Sequence, residues 1–111
     1  MAQNFRRYTE NNIGTSAVDM PDGSDFNSYD AIVGIRLANI TTAAITAEVY
    51  INDGSNDIHL IKDVPIAQGG SIELIDGGAK FVVQSVDRLY IKSSVSAGID
   101  AWVSVVDAIS T

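Results

Sequence analysis

The chain has 111 residues, is 46% hydrophobic and 19% charged, and contains no cysteine. This size and composition fit one folded domain and exclude a disordered body, disulfides, thiolate metal sites and cysteine nucleophiles. The net charge of −7 disfavours nucleic-acid binding through the whole surface, which needs clustered Lys and Arg, and no apolar run reaches the roughly 18 residues of a membrane span.

The first 29 residues are polar, and their few large apolar residues lack a helical period. We expect residues 1–29 to form an extended, irregular N-terminal arm and loop, with a short strand near residues 13–18, ahead of a β-sandwich domain at 30–111. Residues 1–12 carry a net charge of +1 and the remainder −8. A basic arm on an acidic body suits docking on a neighbouring copy, and an ordinary solvated tail accounts for the same residues.

From Tyr29 onward, short apolar segments alternate with turn residues. A strand at 31–40 places Val33, Ile35 and Leu37 on one face. The next strand, at 45–51, has the cleanest alternation, with Ile45, Ala47, Val49 and Ile51 on one face and Thr46, Glu48 and Tyr50 on the other. A turn at 52–56 leads into a strand at 57–64 with Ile58 and Leu60 on one face, which predicts a hairpin.

The second half continues the same pattern. Pro65 has no N–H to donate, so it is predicted to lie at a strand end or an edge. Further strands are predicted at 71–75, 80–85, 88–93 and 99–108, with a tight turn at 76–78. In the last strand Ile99, Ala101, Val103 and Val105 share one face. Seven or eight short strands at this spacing predict an all-β fold, a single antiparallel β-sandwich or jelly-roll-like domain.

The sequence offers little material for an active site. His59 is the single histidine, so neither a zinc site of the usual kind nor a supported Ser-His-Asp triad can be assembled around it. The glycine pairs at 69–70 and 77–78 lack the Lys-Ser/Thr of a phosphate loop, and the aspartates fall mainly at turns, where they bond the local backbone. We therefore expect no enzyme activity, no catalytic or metal-ligating residues and no cofactor.

Aromatic and arginine side chains are the candidates for an interface. Tyr50 and Trp102 lie opposite the main aliphatic rows, so their rings are either exposed for a partner or covered by a second layer. Arg and aromatic residues also dominate interface hot spots. The Arg and aromatic residues near the start of the chain are therefore candidates as well. The predicted interface residues are Phe5, Arg6, Arg7, Tyr8, Tyr50 and Trp102.

Four segments carry a resemblance to a known group of proteins. They are 29–39, 49–54, 58–66 and 69–78, which together read as strand, turn, Lys-Asp-x-Pro-Ile, Gly-Gly, strand and Asp-Gly-Gly. This succession, with the opening Met-Ala-Gln-Asn-Phe-Arg-Arg-Tyr-Thr, resembles small virion structural proteins of tailed phages, especially contractile-tailed phages of marine cyanobacteria. The resemblance spans nearly the whole chain, implies a β-sandwich particle component, and brings no catalytic residues.

This resemblance implies a structural, non-enzymatic component of the virion that is assembled in the host cytoplasm. An accessory or decoration subunit on the outside of the capsid is the first expectation, and a neck or tail component is the alternative. The expected partners are other virion proteins (major capsid or neck and tail proteins) and copies of the same chain, without nucleic acid or membrane. A rival from another class is a β-sandwich module that binds glycans on a host surface.

Overall fold

The computed structural model describes residues 4–20, 31–75, 81–83 and 87–107, without the side chains of residues 4, 5, 20 and 107. Nine strands occur in these ranges, numbered in chain order. They are β1 (Asn4–Ile13), β2 (Val18–Met20), β3 (Ala31–Asn39), β4 (Ile45–Asn52), β5 (Asp57–Ile66), β6 (Ser71–Glu73), β7 (Phe81–Val82), β8 (Arg88–Ser93) and β9 (Ile99–Asp107). Within the same ranges, no helix is long and apolar enough to cross a membrane.

The strands form two antiparallel sheets. The five-stranded sheet has the order β1-β9-β3-β6, and β7 pairs with β3 as well. The four-stranded sheet has the order β2-β8-β4-β5. Alternating apolar residues of both sheets meet in one core, in which Ile35 and Val103 of one sheet and Val49 and Ile91 of the other are fully buried. The predicted all-β sandwich is confirmed.

The beginning of the chain differs from the irregular arm expected for residues 1–29. Asn4–Ile13 is extended, as expected, but it is a regular member of the five-stranded sheet, paired with β9 from Asn4–Asp107 to Glu10–Ala101. Val18–Met20 pairs with β8, and residues 14–17 connect the two strands instead of forming one. Ile13 is 1% exposed, so this segment contributes to the core that stabilises the fold. Residues 21–29 lie outside the described residues.

Two local departures from the predicted alternation have identifiable causes. A register shift between Ile32 and Gly34 turns Val33 out of the core row, so Ile32, Ile35 and Leu37 are buried and Val33 is only half-buried. Ile58 lies at the turn end of β5 and is 53% exposed, whereas Leu60 packs against the core. The edge position predicted for Pro65 is correct, because β5 is an edge strand. The predicted turn at 76–78 lies outside the described residues.

Asn39 connects the two sheets at one end of the sandwich. This buried side chain donates through Nδ2 to the carbonyls of Ala43 (2.8 Å), Ile66 (3.0 Å) and Ala67 (3.1 Å). Its Oδ1 accepts from the backbone N–H and the hydroxyl of Thr41. A buried amide with its hydrogen-bonding groups satisfied fixes the crossing from β3 to β4.

Candidate functional site

The outer face of the five-stranded sheet carries the most exposed large aromatic ring of the described residues. Trp102 is 51% exposed because its neighbours Ala101 and Val103 take the core positions of β9. The strand register places Thr9, Trp102, Arg36 and Glu73 in one row across β1, β9, β3 and β6. Arg7 and Ser104 form the adjacent pair. These six residues are referred to below as the Trp102 face.

Arg7 and Trp102 are in direct contact on this face. The guanidinium carbon of Arg7 lies 5.3 Å from the centroid of the Trp102 ring, a cation–π distance. Arg7 is itself exposed, so the pair presents both a charge and an apolar ring to solvent. The register also brings Arg7 beside Ser104 and then Gly34, whose small size leaves the sheet surface flat next to the pair. A flat surface with Trp and Arg at its centre has the composition of a protein-binding hot spot.

Glu73 lies at the end of the row, and its side chain binds the backbone of β3. Its Oε2 accepts a hydrogen bond from the backbone N–H of Ile35 at 2.7 Å and a longer one from Ile75 at 3.4 Å. Ile35 lies between the part of β3 that pairs with β6 and the part that pairs with β7. The carboxylate therefore accepts a hydrogen bond from the Ile35 N–H, to which neither β6 nor β7 is paired. Its other oxygen, Oε1, lies 3.6 Å from Nε of Arg36.

The outer face of the four-stranded sheet is organised differently. Tyr50 is stacked against Tyr90 with centroids 5.1 Å apart and planes 20° apart, and it meets His59 at the same distance with a 44° tilt. The strand register explains this, because Tyr50 is directly opposite both Tyr90 and His59. His59 Nε2 lies 2.8 Å from Oε2 of Glu48. These four residues are referred to below as the Tyr50 face.

The surroundings shift the pKa values of two residues of the Tyr50 face, Glu48 and Tyr50. The hydrogen bond with His59 is the main reason that the pKa of Glu48 is lowered, with smaller contributions from Lys62 and Lys92 against the opposing effect of burial. Lys62 Nζ lies 3.7 Å from Oε1 of Glu48. The pKa of Tyr50 is raised, first by burial and then by the charges of Asp57 and Glu48. The face is thus a network whose members bind one another.

The structure separates the six residues predicted as an interface. Arg7 and Trp102 come together on the Trp102 face, whereas Arg6 and Tyr8 lie on the core side of β1, opposite Val105 and Val103. Tyr50 lies on the other outer face of the sandwich. The side chain of Phe5 lies outside the described residues.

The sequence interpretation missed Arg36, Glu73 and Tyr90. Alternation alone would have placed Arg36 and Tyr90 outside, because buried residues flank each of them. The gap that Glu73 fills has no sequence signal, since it depends on how β6 and β7 divide the edge of β3.

The acids of these surfaces do not converge on a metal site. In the part of the chain that the structure describes, no group of three or more His, Asp or Glu residues is placed to hold a metal ion. The turn after β4 illustrates what the acids do instead. Asp53 Oδ1 accepts from the backbone N–H groups of Asn56 and Ser55, which lowers the pKa of Asp53 and closes the hairpin.

Comparisons with known proteins relate the fold to one solved structure. No protein-family model matches the chain, and no curated protein sequence matches it. Among solved structures it is similar to the Drosophila NLP-core, whose structure is described as giving insight into pentamer formation and histone binding. The TM-score is 0.53 at 10% sequence identity, over 96% of this chain and 97% of the other. At this identity the likeness concerns the fold alone.

Proposed function

We propose that the chain is a structural, non-enzymatic component of a tailed-phage virion, which binds neighbouring virion proteins through the Trp102 face. An accessory or decoration subunit on the outside of the capsid is the favoured location, and a neck or tail component is the alternative. The resemblance of segments 29–39, 49–54, 58–66 and 69–78 to small virion proteins supports the setting. The half-exposed Trp102 under Arg7 is the observation that carries the binding role.

The exposed area of Trp102 favours a protein partner for this face. A half-exposed Trp leaves a large apolar area in water, and covering it in an interface removes that area from solvent. Arg7 brings a cation that is weakly hydrated for its charge, so it is desolvated more readily than a lysine would be. Among the described residues, the rings of the Tyr50 face are less available to a partner, because Tyr50 already contacts Tyr90 and His59.

The same contact weighs against the glycan-binding alternative. A sugar ring stacks on the open face of an aromatic side chain, and the guanidinium of Arg7 already lies over Trp102. The second aromatic candidate, Tyr50, lies on the opposite side of the sandwich, so the two rings cannot form one platform. A sugar would have to displace Arg7 and bind to a single Trp.

Assembly with copies of the same chain is part of the proposal. The Drosophila NLP-core, which shares the fold, is described in terms of pentamer formation. A sandwich of this kind is therefore compatible with symmetric assembly. Repeated symmetric contacts would add avidity to each weak contact on a particle.

The first test is mass-spectrometric identification of the chain in purified particles, with heads and tails separated. Recovery with heads in a fixed ratio to the major shell protein is the expected result. Recovery with tails would favour the neck or tail alternative. Absence from both fractions would contradict the proposal and bring the glycan-binding alternative forward.

The second test asks whether the Trp102 face makes the contact. Particles that lack the subunit would be mixed with tagged wild-type chain, with Trp102→Ala, or with Lys62→Ala as a control on the opposite side. We expect Trp102→Ala to remain folded by circular dichroism but to lose incorporation, while Lys62→Ala is incorporated like the wild type. Equal incorporation of all three would rule out this face as the binding surface.

A further inference from the structure

The two long edge strands of the sandwich differ in how open they are to a further strand. In the described part of the chain, β1 pairs only with β9, and β5 pairs only with β4. An edge strand presents a row of backbone N–H and C=O groups that another strand can use. Whether it does so depends on how regular the strand is and which side chains it carries.

The edge of β5 is interrupted. Pro65 has no N–H to donate, and Asp63 has a positive φ of 55°, which breaks the extended conformation. The ladder with β4 also shifts register between Ala47 and Val49 and again between Val49 and Tyr50. Bulges and proline of this kind prevent edge-to-edge pairing.

The edge of β1 is regular over seven residues. From Asn4 to Glu10 it pairs with β9 without a register shift, and the irregularity begins only beyond Glu10, where Asn12 has a φ of 55°. No Pro or Gly occurs in this stretch. Arg6, Tyr8 and Glu10 alternate on its core side, opposite Val105, Val103 and Ala101.

We propose that β1 pairs antiparallel with β1 of a second copy of this chain, across a twofold axis beside Tyr8. A twofold axis perpendicular to the sheet keeps the core sides of both copies together, so residues of the same side must face each other. Three registers satisfy this condition near the middle of the strand. They centre on Arg7, on Tyr8 or on Thr9.

Charge selects among these registers. The register centred on Arg7 places two arginines against each other, which is destabilising. The register centred on Thr9 places Glu10 against Tyr8, so no opposite charges face each other across the contact. The register centred on Tyr8 places Arg6 against Glu10 of the second copy, twice, with Tyr8 against Tyr8 between them. The sequence of β1 is therefore self-complementary in one register.

Two copies of this acidic chain repel each other, and the distribution of charge makes β1 the least unfavourable place for them to meet. The body of each copy carries a net charge of −8 outside residues 1–12, whereas residues 1–12 carry +1. Joining two copies along β1 brings them together at their least acidic segment. It also joins the two five-stranded sheets into one and places both Trp102 faces on the same side of it. The inference goes beyond the proposed function, because it needs no phage particle.

Purified chain would be studied by sedimentation velocity over a range of concentrations. We expect a monomer–dimer equilibrium. Arg6→Glu places Glu against Glu10 twice, and Glu10→Arg places Arg against Arg6 twice, so each change should weaken the dimer by about tenfold or more. The double variant Arg6→Glu/Glu10→Arg restores opposite charges and should dimerise like the wild type.

Arg7→Ala is the register control. In the register centred on Tyr8 this position faces Thr9 of the second copy, so the change should leave the dimer nearly unchanged, whereas in the register centred on Arg7 it would remove a repulsion between two arginines and strengthen the dimer. Circular dichroism of each variant checks the fold. A monomer at all concentrations, a pentamer, or a double variant that stays as weak as the single ones would overturn the inference, and none of these results depends on binding to particles.

Discussion

On the outer face of the five-stranded sheet, Trp102 is half exposed beneath the guanidinium of Arg7. On the opposite outer face, Tyr50 lies between Tyr90 and His59. Both aromatic residues occupy outward positions of a central strand. What differs is the residue across the strand, because Trp102 has Thr9 and Arg36 as neighbours and Tyr50 has two rings. The cross-strand partner thus determines whether an outward ring supports the fold or remains available for binding.

The polar groups follow the same division, with one exception. On the Tyr50 face, Glu48 binds His59 and Lys62, so its charge is used within the chain. On the Trp102 face, the charges of Arg7 and Arg36 are exposed. Glu73 belongs to the Trp102 face by position but is tied to the backbone of β3. It is the residue by which the comparison can be tested most strongly.

We expect Glu73→Ala to have the largest effect on stability. It removes the acceptor of the Ile35 N–H and leaves a part-buried donor without its partner, which costs about 1–3 kcal/mol. Urea unfolding followed by circular dichroism measures the loss. Arg36→Ala is the control, because its ion pair with Glu73 is exposed and long at 3.6 Å and should matter by less than about 1 kcal/mol. Equal losses for both variants would mean that Glu73 acts through the ion pair instead of the backbone.

The ring contacts give a second, smaller contrast that double-mutant cycles can measure. For Tyr50→Ala and Tyr90→Ala we expect a coupling of about 0.5–1.5 kcal/mol in the free energy of unfolding, since the rings stack. For Arg7→Ala and Trp102→Ala we expect about 0.5 kcal/mol, because the cation–π pair is solvated. If the second coupling matched or exceeded the first, the Trp102 face would be a stabilising network too, and its availability for a partner would be in doubt.

Much of this architecture was predictable from the sequence. The alternation at 45–51 and 99–105 identified the core residues of β4 and β9, because a strand buried on one side needs an apolar residue at every second position. The same rule failed at Val33, where one extra residue in the strand reverses the sides. Residues 4–13 were interpreted as irregular because an edge strand carries polar residues such as Arg6 and Glu10 on its core side.

The candidate site was harder to predict than the fold. Alternation placed Tyr50 and Trp102 opposite the aliphatic rows but left open whether their rings are exposed or covered, because that depends on which strands are neighbours. Arg7 contacts Trp102 only because β1 pairs with β9, a strand far from it in the sequence. Arg6 and Arg7 looked equivalent in the sequence, and the sheet places them on opposite sides. Pairing between distant strands is set by the whole fold and leaves little trace in local sequence.

The smallest expected effect concerns the pH dependence of stability on the Tyr50 face. The pKa of Glu48 is lowered in the folded chain, chiefly by its hydrogen bond with His59. A lowered folded pKa means that this contribution is complete above the ordinary glutamate pKa and is lost as the pH falls through the lowered value. Glu48→Gln should therefore flatten the fall in unfolding free energy between about pH 5 and pH 3.

Two features make this measurement specific. The wild type and the variant share the lowered pKa of Asp53, which is held by the backbone N–H groups of Asn56 and Ser55, so part of the slope should persist in Glu48→Gln. His59→Ala removes the principal cause of the Glu48 shift and should flatten the profile almost as much. Parallel profiles for wild type, Glu48→Gln and His59→Ala in urea unfolding would mean that the pKa of Glu48 is the same in the folded and the unfolded chain. The Tyr50 face would then be held together by its rings alone.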